Sequence, residues 1–468
     1  MPDIDSLRRD FERHGQSHVF AFWNRLDDSG KAAFAEQLSK IDFGDLGLLR
    51  RTLADALAPA SAAEASAAEE MEPAPVAVLE GAARAEAAAR GEEELRAGRV
   101  AALVVAGGQG SRLGFDGPKG CFPVGPITGE PLFFFHARKL LALEKKYGRP
   151  VPFYVMTSET NDAATRAAFR ERGFFGLDEK NVFFFVQGMW PALSPEGKIV
   201  LDGPGHAFFG PDGHGGTLSA LKRSGALADM RKRGIASVFY FQVDNPMVEI
   251  ADPAFVGYHV ASGSDYSVKV CAKRDPGEGL GVVVEQGGRP RIVEYTEFTD
   301  AQKNERTADG ELRYKYGSVA IHVFSVPFLE REAAAGLPLH VAHKKVPSVD
   351  ASGAVSKPSE PNAYKFEKFI FDALRDAEKS VCVAFDREEE FSPVKNASGA
   401  DSPETCRADL SRKWARWLAA AGVSLETDGA GCPKRRIEID PAFAADPATL
   451  EAKLAGVAVP AEGDILLR

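Results

Sequence analysis

Cysteine is scarce. Five cysteines in 468 residues (Cys121, Cys271, Cys382, Cys406 and Cys432) are scattered without a C-x-x-C pair, so neither a zinc site nor a disulfide framework is indicated, and the usage fits a reducing compartment. Long apolar runs are missing as well: the strongest, such as residues 236–243, have strand length and fall far short of a bilayer span. The opening MPDIDSLRRDFERHG is charged from its third residue and has no apolar stretch of the kind a signal peptide needs, so a cytoplasmic protein without a membrane partner is expected. Positive charge is in deficit, with 57 Lys plus Arg against 67 Asp plus Glu and a net charge of −10. That balance argues against a nucleic-acid backbone or an anionic membrane as the main partner. An anionic substrate must then be met by local cations. No Ser-His-Asp or Cys-His arrangement suggests a covalent nucleophile.

What the chain does contain is the stretch at 100–125, VAALVVAGGQGSRLGFDGPKGCFPVG. Its β-branched start reads as a fully buried strand that breaks directly into Gly107, Gly108 and Gly110. Glycines there let the backbone turn tightly and offer unhindered N–H groups to an anion. Arg112 and Lys119 add two fixed cations to the same loop, and a helix over 131–146 follows, with Phe133, Ala137, Leu140 and Leu141 on one face. Strand, glycine-rich cationic loop and helix together form a phosphate cradle. No GK[ST] closes it, so it is not a Walker A loop. Leu113 breaks the dinucleotide pattern G-x-G-x-x-G, and the β3 lysine and HRD loop of a kinase are absent.

The length exceeds one ordinary core, and the chain reads as three parts. Residues 1–97 form an N-terminal helical region and Ala-rich linker: Phe11, Val19, Phe22, Phe34 and Leu38 recur at helical spacing through 4–57, and the Ala-, Glu- and Pro-rich stretch 58–97 ends in a surface helix over 82–96. Residues 98–386 alternate strands (152–157, 181–187, 237–243) with helices (162–172, 216–233). Shorter strands follow at 265–273, 281–285, 291–295 and 318–324, with Gln286-Gly287-Gly288 as a hairpin turn, then a helix over 363–379 and a strand at 381–385. Residues 387–468, with a helix at 409–420 and a strand at 435–439, read as a small C-terminal α+β domain. The expected fold is α/β, with a mixed, mostly parallel sheet covered on both faces and ligands bound outside the carboxyl ends of its strands.

Candidate residues gather at those ends. Gln187 closes the Phe-rich strand and carries an amide that can serve a pyrimidine edge. Gly213 lies in a second glycine-rich loop, PDGHGG, and His214, between glycines and without apolar neighbours in sequence, has no core role and reads as a ligand contact. Asp244, with Asn245, follows the strand at 237–243. An acid there suits a hard cation, because Mg²⁺ is usually held by one or two carboxylates and completes its shell with water and substrate phosphate. Glu294 and Tyr295 close a hairpin strand and can reach sugar hydroxyls, and Lys395 stands in the FSPVKNASG loop, which is otherwise poor in charge.

Taken in order, these motifs resemble the eukaryotic-type UDP-sugar pyrophosphorylases, most closely those acting on N-acetylhexosamines. The likeness rests on LVVAGGQGSRLG…PKG, YVMTSE, QGMWPALSPEGKIVL, PDGHGG, QVDNPMV, ADPAFVGY, GVVVE, IVEYTE, HVAHKKVP, EKFIFD and EFSPVKNASG, and it runs from about Gly15 to the RRIEIDP segment. The resemblance implies a Rossmann-like, GT-A-like nucleotidyltransferase sheet that uses UTP, a sugar 1-phosphate and Mg²⁺. By it, Gly107, Gly108, Gln187 and Gly213 contact the uridine. Arg112 and Lys119 hold the triphosphate, Asp244 ligates Mg²⁺ beside the nucleotide, and Lys395 reaches the phosphates of the product. Gly281, Glu294, His214 and Ser318 fall on sugar-binding positions. Two of these depart from the N-acetylhexosamine pattern: His214 replaces an asparagine, as in the UDP-glucose enzymes, and Ser318 replaces a second asparagine after Gly317. UDP-glucose synthesis, or a broad sugar range, is therefore the alternative within the class. A non-catalytic nucleotide-sugar sensor is the rival outside it, and the presence of Arg112, Lys119, Asp244 and Lys395 together speaks against that rival.

Overall fold

The β-branched and aromatic runs assemble into one mixed sheet of 11 strands in the computed structural model, which describes residues 3–58, 71–429 and 431–468. Part of the Ala-rich linker, 59–70, lies outside the described residues. Four parallel strands, Ser237–Gln242, Val100–Val105, Phe153–Thr157 and Val182–Val186, lie side by side in that order. Tyr316–Ser325 joins the other edge of Ser237–Gln242 antiparallel, followed by Tyr266–Ala272, Ser380–Ala384 and the short Ala77–Val78. Val100–Val104 are all buried, as a strand covered on both faces must be.

The chain divides into two compact units, and neither is one continuous segment. The sheet belongs to the larger, residues 70–186, 218–335 and 373–468. Its core includes Val104, Phe133, Phe153, Phe241 and Val323, and extends to Trp414 and Leu418 of the Pro403–Ala420 helix. That helix starts six residues before the expected one. Pro403 at its first turn and a capping box between Ser402 and Thr405 set its start. Ile437–Ile439 and Ile465–Leu467 pair in parallel beside it. Gly287 and Gly288, both at positive φ (58° and 71°), make the two-residue turn between Gly281–Gln286 and Arg289–Val293.

The smaller unit, residues 1–69, 187–217 and 336–372, gathers its core from all three segments: Phe11, Phe34, Leu38 and Leu49 with Leu193, Ile199 and Phe366. Its join is partly polar. The fully buried Gln16 donates to Gly197 O (2.9 Å) and accepts from Ile199 N (3.0 Å), so one amide satisfies two main-chain groups. The helix expected over 363–379 is not formed. Ala363–Glu367 is a strand, antiparallel to His340–Lys344, followed by a 3-10 turn over Ile370–Asp376. Pairing with His340–Lys344 along the whole segment outweighed helical propensity.

The helix expected over 82–96 forms as Gly81–Arg96, yet it is not merely a surface helix. It crosses Pro253–Ser262 so closely that a Cβ on Gly91 would lie 1.9 Å from Pro253 O, and one on Gly257 would lie 1.7 Å from Ala87 O. Gly257→Ala is therefore expected to force the two helices apart and to destabilise the protein by about 3 kcal/mol, in the overpacking range. A denaturant midpoint unchanged by Gly257→Ala would show that the helices do not touch in this way.

His136 and His259 are buried as neutral groups in the larger unit. His136 donates through Nε2 to Val243 O (2.9 Å), and His259 shares a hydrogen bond through Nδ1 with Ser267 Oγ (2.8 Å). Burial is the largest influence on both, pushing His136 down to about 3 and His259 to about 4. Because the folded value lies below the ordinary 6.5, the stability each contributes is complete above that value and is lost as pH falls toward 4. Between pH 7 and 5 each is expected to remove about 2 kcal/mol. His259→Gln should make the stability profile shallower by about that amount across this interval, as measured by denaturant unfolding at each pH.

Candidate active site

The glycine loop leaves the Val100–Val105 strand and folds back on itself. Gly110 N donates to Gly117 O (2.9 Å), Phe115 N to Gly110 O (3.1 Å) and Lys119 N to Gly108 O (3.0 Å). A Cβ on Gly110 would meet Phe115 at 2.7 Å, so that glycine serves the loop's own packing. Gly108 differs, since nothing lies within 4 Å of the place its Cβ would occupy. Its main chain is braced from behind by the buried Asn161, whose Nδ2 donates to Ala106 O (2.9 Å) and Gly108 O (3.2 Å). Arg112 is exposed on the loop and makes no ion pair among the described residues.

In the parallel pairing Val105 stands opposite Gln242. The loop and Asp244 therefore emerge from adjacent strand ends, and Lys119 Nζ reaches Asp244 Oδ2 at 2.9 Å. Lys395 comes to the same place because Val394 N donates to Asp244 O (2.9 Å), while Lys395 N bonds Asp401 O (2.7 Å). Burial acts to raise the Asp244 carboxyl, but the ammonium groups of Lys119 and Lys395 outweigh it and hold the acid below the ordinary carboxylate range. An ionised acid therefore stands between two cations.

Gly281 and Ser318 are direct partners where Gly281–Gln286 meets Tyr316–Ser325, and a Cβ on Gly281 would lie 3.7 Å from Glu294 Oε1. These three expected sugar positions are thus neighbours. Ser318 Oγ accepts from Ala320 N (3.4 Å), and Ala320 sits at φ 57° in an irregularity of the pairing with Tyr266–Ala272.

Gln187, Gly213 and His214 belong to the smaller unit. Gly213 has φ 80°, and a Cβ there would meet Lys368 O at 2.4 Å, so the close approach made by this loop is to the Lys368 main chain. His214 does have a packing role, contrary to its sequence setting. Its ring stacks on Phe369 (5.4 Å, 25°), and its Nδ1 accepts from Ile370 N (3.1 Å). Burial pushes it down to about 4, so it is neutral near pH 7.

Sequence reasoning passed over Lys269. Its ammonium lies among the carboxylates of Asp252 (2.8 Å) and Glu390 (2.6 and 2.7 Å), with Glu249 close by. A lysine at the centre of the apolar run YSVKVCA was the available signal, since a buried charge requires a partner. Those three acids are close enough to share an ion, but the ammonium already compensates two of them.

Residues 55–402 match the family model described as UTP–glucose-1-phosphate uridylyltransferase. The chain is 38% identical to the human UDP-N-acetylhexosamine pyrophosphorylase-like protein 1, over 93% of this chain and 89% of that one. It is 37% identical to the UDP-N-acetylglucosamine pyrophosphorylase of Saccharomyces cerevisiae, over 71% and 72%. Among solved structures, the uridine diphosphate N-acetylglucosamine pyrophosphorylase of Trypanosoma brucei matches with a TM-score of 0.84 and 27% identity, over 100% of this chain and 98% of that one. With the nucleotidyltransferase-like sheet, its glycine loop and these matches in hand, the chain belongs to the UTP–glucose-1-phosphate uridylyltransferase family of UDP-sugar pyrophosphorylases.

Proposed function

We propose that this protein is a uridylyltransferase that joins UTP to N-acetylglucosamine 1-phosphate, releasing pyrophosphate and a UDP-sugar. The meeting of Lys119 and Asp244 at the mouth of the glycine loop carries this reading in a chain of this family. The names of the relatives support the choice of N-acetylglucosamine. No helix among the described residues is long and apolar enough to cross a membrane, and all five thiols are free, which supports a cytoplasmic setting.

The sugar phosphate arrives already anionic, so its oxygen needs no base to attack the α-phosphorus of UTP while pyrophosphate leaves in line. The barrier lies in bringing two anions together and in the charge that grows between them, which positioning and fixed cations lower. Arg112 and Lys119 are assigned to the triphosphate and Lys395 to the joined phosphates. Gly107, Gly108, Gln187 and Gly213 are assigned to the uridine, and Gly281, Glu294, His214 and Ser318 to the sugar.

Asp244 suits Mg²⁺: it is ionised, Lys119 occupies only Oδ2, and one carboxylate suffices when substrate phosphate supplies further oxygens. When bound there, Mg²⁺ supplies additional positive charge to the phosphates. Lys119 then keeps the carboxylate oriented and adds its own charge beside it.

Lys119→Ala and Asp244→Asn are each expected to lower kcat roughly a hundred- to a thousand-fold while leaving a cooperative melting transition. Pyrophosphate release at the wild-type rate by either variant would remove that residue from the reaction. His214 and the family description make glucose 1-phosphate the competing substrate. In parallel assays with UTP and Mg²⁺, N-acetylglucosamine 1-phosphate is expected to give a higher kcat/KM than glucose or galactose 1-phosphate. Preference for glucose would make the protein a UDP-glucose enzyme, and binding without turnover of any sugar phosphate would make it a sensor.

A further inference from the structure

Between the strand end that carries Asp244 and the segment that carries Lys395 lies one side chain that bonds main chain on both sides. Asn245 is buried, and its Nδ2 donates to Glu390 O at 2.7 Å. Its Oδ1 accepts from Ser392 N at 3.1 Å and from Met247 N at 3.2 Å. The next bond along is main chain to main chain, Val394 N to Asp244 O at 2.9 Å. The amide therefore stands in for a peptide group and continues, by side chain, the pairing that begins at Asp244. At the far end, the Glu390 carboxylate is gripped by Lys269 through both oxygens (2.6 and 2.7 Å), so the segment is fixed at two points before it reaches Lys395.

The residue type follows from this geometry. A carboxamide both gives and takes hydrogen bonds from one small planar group. Aspartate would set a second anion beside Asp244 and lose the donor, serine would not span the gap, and glutamine would overreach it. Ser392 and Val394 are buried too, so a lost bond here is not readily replaced by water.

We propose that Asn245 is a positioning residue for uridylyl transfer. It holds the Glu390–Val394 segment against the Asp244 strand end, so that Lys395 is presented to the same phosphates as Lys119, and it touches no substrate itself. This rests on the role given to Lys395 above.

The test is a double-mutant cycle on the full-length enzyme, measuring kcat for pyrophosphate release with UTP, Mg²⁺ and N-acetylglucosamine 1-phosphate. Asn245→Ala is expected to lower kcat about tenfold when Lys395 is present, the scale of one unmet buried hydrogen bond. In the Lys395→Ala background the same substitution should lower it by about twofold or less, because the group it positions is gone. Its effect on melting temperature, by contrast, should be equal in both backgrounds. An equal kcat factor in both backgrounds would overturn the proposal while leaving the role of Lys395 intact. Lys395→Ala with unchanged turnover would overturn that role, and this proposal with it, and is told apart because Asn245 is untouched in that variant. Should Asn245→Ala fail to fold, Asn245→Thr, close in volume but without the amide donor, serves in the same cycle.

Discussion

The register between two parallel strands is the constraint on which the site depends. Val105 opposite Gln242 brings the glycine loop and Asp244 out of the sheet side by side. A slip of one residue would move Asp244 about 3.3 Å along the strand and turn its carboxylate to the other face of the sheet. Lys119 could then not reach it, and the main-chain bond from Val394 that brings in Lys395 would have no partner. The register is itself enforced by burial, because the strand side chains from Val238 to Phe241 are all in the core and a slip would drive the half-buried Gln242 into it.

Charge is distributed on two scales. The chain carries ten more acids than bases, yet at the carboxyl end of the Ser237–Gln242 strand Lys119 and Lys395 flank a single acid, Asp244. Pairing Lys119 with Asp244 keeps both ions in place, so the cation stands ready at the strand end without rearrangement. Deeper in the same unit, Lys269 uses similar chemistry for an architectural end, tying Asp252 at the start of a helix to Glu390 ahead of the Lys395 loop.

Much of this was legible in the sequence, and the failures have physical reasons. The buried strands, the glycine loop and the hairpin at Gly287-Gly288 were readable because each depends on local composition: apolar runs, backbone freedom, and two residues at positive φ. The place of Asp244 just beyond a strand end was readable in the same way. Ala363–Glu367 was misread because its partner, His340–Lys344, lies some twenty residues away, and helical propensity carries no information about pairing at that distance. The packing role of His214 was not legible because its aromatic neighbours, Phe369 and Phe371, come from over 150 residues further along the chain. Asn161 and Lys269 act through bonds formed only once the sheet has closed.

The three-segment make-up of the smaller unit bears on how the protein is born. Its first helices are complete by Leu57, but Phe366, which closes their core, is some three hundred residues further on. At ordinary rates of translation the ribosome needs roughly 15–60 s to cover that distance. Until then the core around Phe11, Phe34 and Leu49 lacks the side chain from the last of its three segments, so this unit is completed late in synthesis.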